Sequence, residues 1–138
     1  MPVSAELAGR SFPATRPYEV SAEKITEFAA AIGAEPDPAE APPTFPIVVA
    51  FQAMTELMDH PDVGITLQNV VHADQRFDIN RPIRATDTLT ARLTVESVRQ
   101  MAGTDIIATR SDITAEDGEL VCTAYATLAH RAPGVGEQ

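Results

Sequence analysis

The segment Pro43-Thr-Phe-Pro-Ile-Val-Val-Ala-Phe51 decides the fold, because it carries no polar side chain after Thr44. A helix that is apolar all round must be buried on every side. Proline is tolerated in the first turn, where amide hydrogens have no partner within the helix. We therefore predict a buried central helix that begins at Pro43. From Gln52 to His60 the pattern becomes amphipathic, and His60, next to Pro61, suits the negative end of the helix dipole.

A shorter amphipathic helix is predicted ahead of the central one. Ser21 can accept amide hydrogens at a helix start, and Gly33 can end the helix. The apolar residues between them follow helical spacing: Ile25, Phe28, Ala29 and Ile32. From Gly33 to Pro43 the prolines exclude regular helix or strand in the middle of the segment.

The second half of the chain alternates between apolar and polar residues, which is typical of half-buried strands. Four such runs cover Val71–Ile79, Leu89–Glu96, Asp105–Thr114 and Leu120–His130. The turn Glu116-Asp-Gly118 is a strong hairpin signal. We predict an antiparallel meander whose apolar face is covered by the central helix, an α+β arrangement in one domain.

Composition excludes several classes of function. The 138 residues carry a net charge of −10, with no basic cluster that could bind nucleic acid or an anionic membrane surface. No apolar run is long enough to span a membrane, and residues 1–10 lack the apolar core of a secretory signal, so we expect a cytoplasmic protein. The single cysteine, Cys122, lies in an apolar strand pattern and is expected to be a small buried hydrophobe.

Several motifs together resemble a known family. They are Pro17–Ile25, Phe28–Gly33, Ala41–Phe45, Val71–Phe77 and Arg81–Leu89. Their order and spacing are similar to those of MaoC-like (R)-specific hydratases and dehydratases. The likeness is strongest to accessory subunits of actinobacterial (3R)-hydroxyacyl-carrier dehydratases, which have a FAS1-like dehydratase domain.

The resemblance implies a single hot-dog domain over residues 1–138. Residues 132–138 contain Pro133, Gly134 and Gly136, and we expect them to form a flexible tail. The resemblance also implies a homodimer or heterodimer that joins two sheets edge to edge. The substrate would be a fatty-acyl thioester of coenzyme A or acyl-carrier protein. The reaction would be the reversible loss of water from a 3-hydroxyacyl thioester, with no metal or redox cofactor.

The chain departs from the family pattern where the acid/base pair should be. Active members carry Gly-Asp-x-Asn-Pro-x-His after the first helix, whereas residues 32–41 here read Ile-Gly-Ala-Glu-Pro-Asp-Pro-Ala-Glu-Ala. Ala34 stands at the aspartate position, and no histidine follows. Glu35, Asp37 or Glu40 could act as a base and His72 as an acid. Alternatively, the carboxylates form a solvated loop and His72, which shares a strand face with Asp74, Arg76 and Asp78, lies at a surface or interface.

Two elements of a binding site are also predicted. The free amide hydrogens of Thr44, Phe45 and Ile47 could polarise a thioester carbonyl, as the corresponding helix start does in the family, or they could simply initiate the helix. Gln75 falls on the apolar face of its strand and needs hydrogen-bond partners. Those partners could be on the helix, on an acyl chain or on a second subunit. His130 is expected to be structural.

Three functions therefore remain open from the sequence. The chain could be a non-catalytic subunit of a heterodimeric dehydratase that helps to shape the acyl tunnel. It could be a homodimeric dehydratase with a rearranged site, or a homodimeric thioesterase in which Glu40 activates water. It could also bind acyl thioesters without chemistry.

Overall fold

The computed structural model describes residues 5–37 and 39–131, so Pro38 and the predicted tail 132–138 lie outside the described residues. Two helices and five strands follow in the order β1 Tyr18–Glu19, α1 Ala22–Ala31, α2 Ile47–Asp59, β2 Val70–Ile79, β3 Thr88–Met101, β4 Thr104–Ala115 and β5 Leu120–Arg131. None of the helices in these ranges is long and apolar enough to cross a membrane.

The strands form one antiparallel sheet in the order β1-β3-β4-β5-β2. The predicted meander is confirmed for β3, β4 and β5 but is wrong for β2, which pairs with β5 instead of β3. Alternation fixes which residues share a face of a strand but not which strands become neighbours. The connection 80–87 is long enough to carry the chain across the sheet. The short strand β1 was not predicted.

The central helix α2 begins four residues later than predicted. Residues 43–46 form a turn, and the helix starts at Ile47. Complete burial is also wrong, because Phe51 is 50% exposed. The sheet covers only the side of α2 that contacts β3 and β4. The amphipathic second half is confirmed: Met54, Leu57 and Met58 are buried.

The first helix is close to its prediction. The Ser21 hydroxyl accepts the Lys24 amide hydrogen at 3.0 Å, which caps the start of α1. Ile25 and Ala29 are buried, and Gly33 ends the helical stretch at φ +74°. Ile32, expected on the buried face, is 50% exposed because it lies beyond the last full turn.

The two edges of the sheet differ. Residues 9–20 run along β3, where the amides of Phe12 and Thr15 donate to the carbonyls of Leu93 and Ala91 at 2.9 Å. Pro13 in this segment has no amide hydrogen to offer a further strand. β2 is the terminal strand at the opposite side, and no described residue pairs with its outer edge. The sheet therefore has one covered edge and one open edge.

Candidate functional site

The predicted carbonyl-binding amides at the start of α2 are largely occupied. The Phe45 amide donates to the Pro42 carbonyl at 2.9 Å, and the Ile47 amide donates to the Thr44 carbonyl at 3.1 Å. The Phe45 side chain is fully buried, and its ring meets that of Phe28 edge to face at 5.3 Å. Thr44 is exposed. Binding of a thioester oxygen by Phe45 or Ile47 would therefore require this turn to open.

The space beside the helix start is small. A cavity of about 20 Å³ lies between Pro42, Pro46, Ile79 and Cys122. That volume holds roughly one water molecule, so no acyl chain fits there within this chain alone. Burial, followed by the charge of Asp78, raises the pKa of the Cys122 thiol to about 11. Cys122 is thus a protonated core residue, as predicted.

The acidic connection between α1 and α2 lies in solvent. Glu35, Asp37 and Glu40 are exposed. Asp37 Oδ1 accepts the Ala39 amide hydrogen at 2.9 Å, and Glu40 forms an isolated backbone bridge with Arg84. These contacts lay the connection on the segment before β3 and leave the carboxylates in water.

His72 lies far from these carboxylates within one chain. The far end of β2, at Ile79, borders the cavity beside the helix start, and His72 lies seven residues back along the strand. At the usual rise of about 3.3 Å per residue, that separation is roughly 20 Å. A single chain therefore does not bring His72 together with Asp37 or Glu40.

A β-bulge in β2 changes the face on which His72 lies. The register shifts between His72, opposite Leu128, and Asp74, opposite Thr127. The extra residue, Ala73, puts His72 on the inner face with Gln75, so its predicted face is wrong. The His72 Nε2 and Gln75 Oε1 atoms are 2.9 Å apart. Gln75 also donates weakly to the Arg76 carbonyl at 3.5 Å, so its observed partners are on its own strand and not on the helix.

His60 is the C-cap residue at the end of α2, as predicted, and its backbone amide donates to the Leu57 carbonyl, but its side chain contacts other elements. Its Nδ1 accepts the Asp62 amide hydrogen at 3.2 Å, and its ring meets Phe12 edge to face at 5.4 Å. Its Nε2 lies 3.4 Å from the Arg10 guanidinium. The side chain thus joins the loop after α2 to the N-terminal segment and does not bind the last carbonyls of the helix.

An ion-pair network that was not predicted from the sequence lies near the acidic connection. The Arg81 guanidinium donates twice to Asp87, at 2.9 and 3.1 Å, and once to Glu119 at 3.0 Å. Burial alone would raise the pKa of Asp87, but hydrogen bonds from Arg81 and from the Arg84 amide hold it below its usual value. Arg81 and Asp87 are six residues apart in the connection before β3, whereas Glu119 is brought to them only by the tertiary structure.

An apolar groove lies on the exposed side of α2. It has a volume of about 480 Å³ and runs between the extended segment at Pro17 and Tyr18 and the helix residues Phe51 and Thr55. Arg16 and Glu56 stand at its rim. No three His, Cys, Asp or Glu side chains among residues 5–37 and 39–131 are placed to hold a metal ion.

The helix wrapped by a curled antiparallel sheet is the hot-dog fold. A family model for the FAS1-like dehydratase domain region matches residues 6–124. A UPF0336 protein of Streptomyces coelicolor is 41% identical over 147 residues, which covers 96% of this chain and 97% of the relative. A UPF0336 protein of Clavibacter michiganensis is 41% identical over 145 residues, covering 95% and 97%.

The solved structures agree with this assignment. A chain of the C-terminally truncated HadBC (3R-hydroxyacyl-ACP dehydratase) complex from Mycobacterium tuberculosis superposes with a TM-score of 0.78 at 34% identity, covering 89% of this chain and 96% of that one. A MaoC-like dehydratase gives 0.75 at 26% identity, covering 91% of this chain and 42% of that one. The chain belongs to the FAS1-like dehydratase region family of MaoC-like hot-dog hydratases and dehydratases.

Proposed function

We propose that the chain is a cytoplasmic, non-catalytic subunit of a (3R)-hydroxyacyl-thioester dehydratase, or enoyl hydratase, and helps to form its acyl-binding tunnel. The connection between the two helices carries this proposal. Ala34 stands where an acid/base aspartate is expected, and the nearby carboxylates of Glu35 and Asp37 are exposed. Dehydration needs one group to take the proton beside the thioester carbonyl and another to help the hydroxyl leave. This connection supplies no such pair.

The open edge of the sheet supports a partner subunit. The edge at β3 is covered by residues 9–20, so β2 is the strand with backbone groups available for pairing. An open edge of this length invites association with another strand. In this proposal the partner is a second hot-dog subunit that carries the intact aspartate and histidine. The related Mycobacterium tuberculosis structure is a HadBC (3R-hydroxyacyl-ACP dehydratase) complex.

The acyl chain would be shared between the two subunits. His72 and half-buried Gln75 lie on the inner face of the open-edge strand, where a partner would cover them. The apolar groove beside Phe51 offers a further surface for an acyl chain. Coenzyme A and acyl-carrier protein are anionic, so a chain with a net charge of −10 leaves most carrier binding to the partner.

A hydration assay with a trans-2-enoyl-CoA tests the proposal. Hydration is measured as the loss of the absorbance of the conjugated thioester. We expect no turnover by the purified chain alone, and turnover above the partner's own rate when a hot-dog subunit with the intact motif is added. Hydration by the chain alone would contradict the proposal and favour a homodimeric dehydratase. Release of free coenzyme A would indicate a thioesterase. Saturable acyl-CoA binding with no product in either case would indicate a binding module.

Substitution of the candidate groups provides a second test. In the reconstituted pair, Asp37→Asn, Glu40→Gln and His72→Gln should each keep the hydration rate within about twofold, because the chemistry lies on the partner. A general acid or base contributes typically about 10²- to 10⁴-fold, so a loss of that size in any of them would locate catalysis on this chain. Glu35→Gln belongs to the same test, and Glu116→Gln, an exposed glutamate in the turn between β4 and β5, is the matched control.

A further inference from the structure

We propose that His130 and Asp105 form an acid-sensitive clasp that holds the loop 60–69 and, through it, the first residues of the open-edge strand β2. Both side chains are buried on the inner face of the sheet, with relative exposures of 0% and 1%. They face each other across β4 and β5, and His130 Nδ1 lies 3.2 Å from Asp105 Oδ2. Neither residue belongs to the candidate site described above.

The hydrogen bonds of His130 define the tautomer of its neutral imidazole. The backbone amide of Thr66 donates to His130 Nε2 at 2.9 Å. Because an amide hydrogen can only donate, Nε2 must present its lone pair. The ring proton therefore sits on Nδ1 and is donated to Asp105. The other carboxylate oxygen of Asp105 accepts a hydrogen bond from Gln100 Nε2 at 3.1 Å.

Protonation of this imidazole would break the contact with the loop. Imidazolium carries a hydrogen on both nitrogens, so Nε2–H would face the Thr66 N–H and two donors would meet at 2.9 Å. The Thr66 amide must then move away, whereas the bond to Asp105 becomes a charged pair. The change of contact is thus confined to the loop side of the ring.

The loop leads directly to β2, the strand whose outer edge is paired with no described residue. Thr66 precedes the 3-10 turn Leu67–Asn69, and its carbonyl accepts the Asn69 amide hydrogen at 2.9 Å. The next residue, Val70, begins β2 and pairs with His130 itself. Release of Thr66 would therefore loosen the start of β2, while buried Val63 keeps the rest of the loop packed.

The other charged groups on the elements around the His130 ring are exposed or bonded elsewhere. On β2, His72 lies on the same face but is exposed and bonded to Gln75. On β3, Arg99 is exposed, and at the end of α2 Asp59 is exposed. In the loop, the Asp62 carboxylate lies 3.9 Å from the Arg10 guanidinium, and the His60 ring accepts the Asp62 amide hydrogen. The neighbouring residue Arg131 is exposed. Asp105 is accordingly the carboxylate in contact with the ring, and it favours the imidazolium form.

Nuclear magnetic resonance of the isolated chain tests the clasp. In an acid titration of the folded chain, we expect His130 to show the Nδ1–H tautomer before acid is added and the imidazolium form after it. Over the same range, the hydrogen-exchange protection of the Thr66 amide should fall by about tenfold, while that of the core amide of Ile107 stays constant. Retention of full Thr66 protection while His130 titrates would overturn the proposal. So would a His130 that stays neutral until the whole chain unfolds.

The variant Asp105→Asn separates the clasp from simple packing. Asparagine keeps the shape and can still accept the Nδ1 hydrogen, but it removes the negative charge that favours imidazolium. We expect the loss of Thr66 protection to move to lower pH, whereas the control His60→Gln leaves its midpoint unchanged. An unshifted midpoint in Asp105→Asn would contradict the role of the carboxylate. If the variant does not fold, the protection of the Thr66 amide in the wild-type chain still tests whether the clasp opens in acid.

The consequence for assembly rests on the proposed function, whereas the clasp itself does not. If β2 pairs with a partner subunit, acid should weaken that pairing in step with Thr66 release. Loop release without any partner binding would contradict the proposed function and leave the clasp intact. Partner binding without loop release would contradict the clasp alone.

Discussion

Replacing Leu57 with alanine is expected to lower the free energy of unfolding by about 3 kcal/mol, because the leucine lies in the centre of the core. Leu57 is fully buried on the side of α2 that contacts β3 and β4. Truncation removes apolar contacts and leaves a cavity that the surrounding sheet cannot close. Urea unfolding measured by circular dichroism should show a lower midpoint and an unchanged slope.

Phe51→Ala is the matched control on the same helix. Phe51 is half exposed, so its loss should cost about 1 kcal/mol or less despite the larger side chain. Equal losses for the two variants would mean that the exposed side of α2 is covered in solution, as the sequence alone predicted. A tightly associated dimer would produce that result.

Replacing Arg81 with methionine should destabilise the chain by about 2 kcal/mol at neutral pH, because it leaves the Asp87 carboxylate without its main partner. The Arg81 and Asp87 side chains are 20% and 17% exposed, so solvent screens their interaction only in part. Glu119 is 49% exposed, and its contact adds little. Thermal and urea unfolding measure the loss. Arg99→Met, at an exposed position on β3, should stay within about 0.5 kcal/mol of the wild type.

The acid dependence of the free energy of unfolding shows whether Arg81→Met destabilises the chain through lost charge pairing or through lost packing. The folded-state pKa of Asp87 is lowered, so its contribution is present above the unfolded pKa of about 3.9 and is lost as the pH falls through the folded value. The difference between wild type and Arg81→Met should therefore shrink below about pH 4. A difference that stays constant to lower pH would indicate lost packing of the arginine side chain and not lost charge pairing.

The departure from the family's acid/base motif could be recognised from residues next to one another in sequence. Ala34 follows the helix-ending Gly33 directly, and the acidic connection is short and rich in proline. Exposure of these carboxylates also follows from local chemistry, because a proline-rich segment between two helices offers few backbone partners. Gln75 was identified as a polar residue on an apolar face, but its partner, His72, was not.

The sequence by itself determined that two helices and the strands β2 to β5 exist, and it determined the turn between β4 and β5, because caps and hydrophobic periodicity act between residues a few positions apart. Ser21 and Gly33 bound the first helix, and Asp117 with Gly118 closes the hairpin of β4 and β5. Only the tertiary structure decided that β2 crosses to β5 and that a bulge turns His72 to the inner face. These features depend on long-range pairing, in which a single extra residue reverses a strand face. The Asp105–His130 clasp depends on it as well, since strand pairing brings those two residues together across 25 positions of the chain.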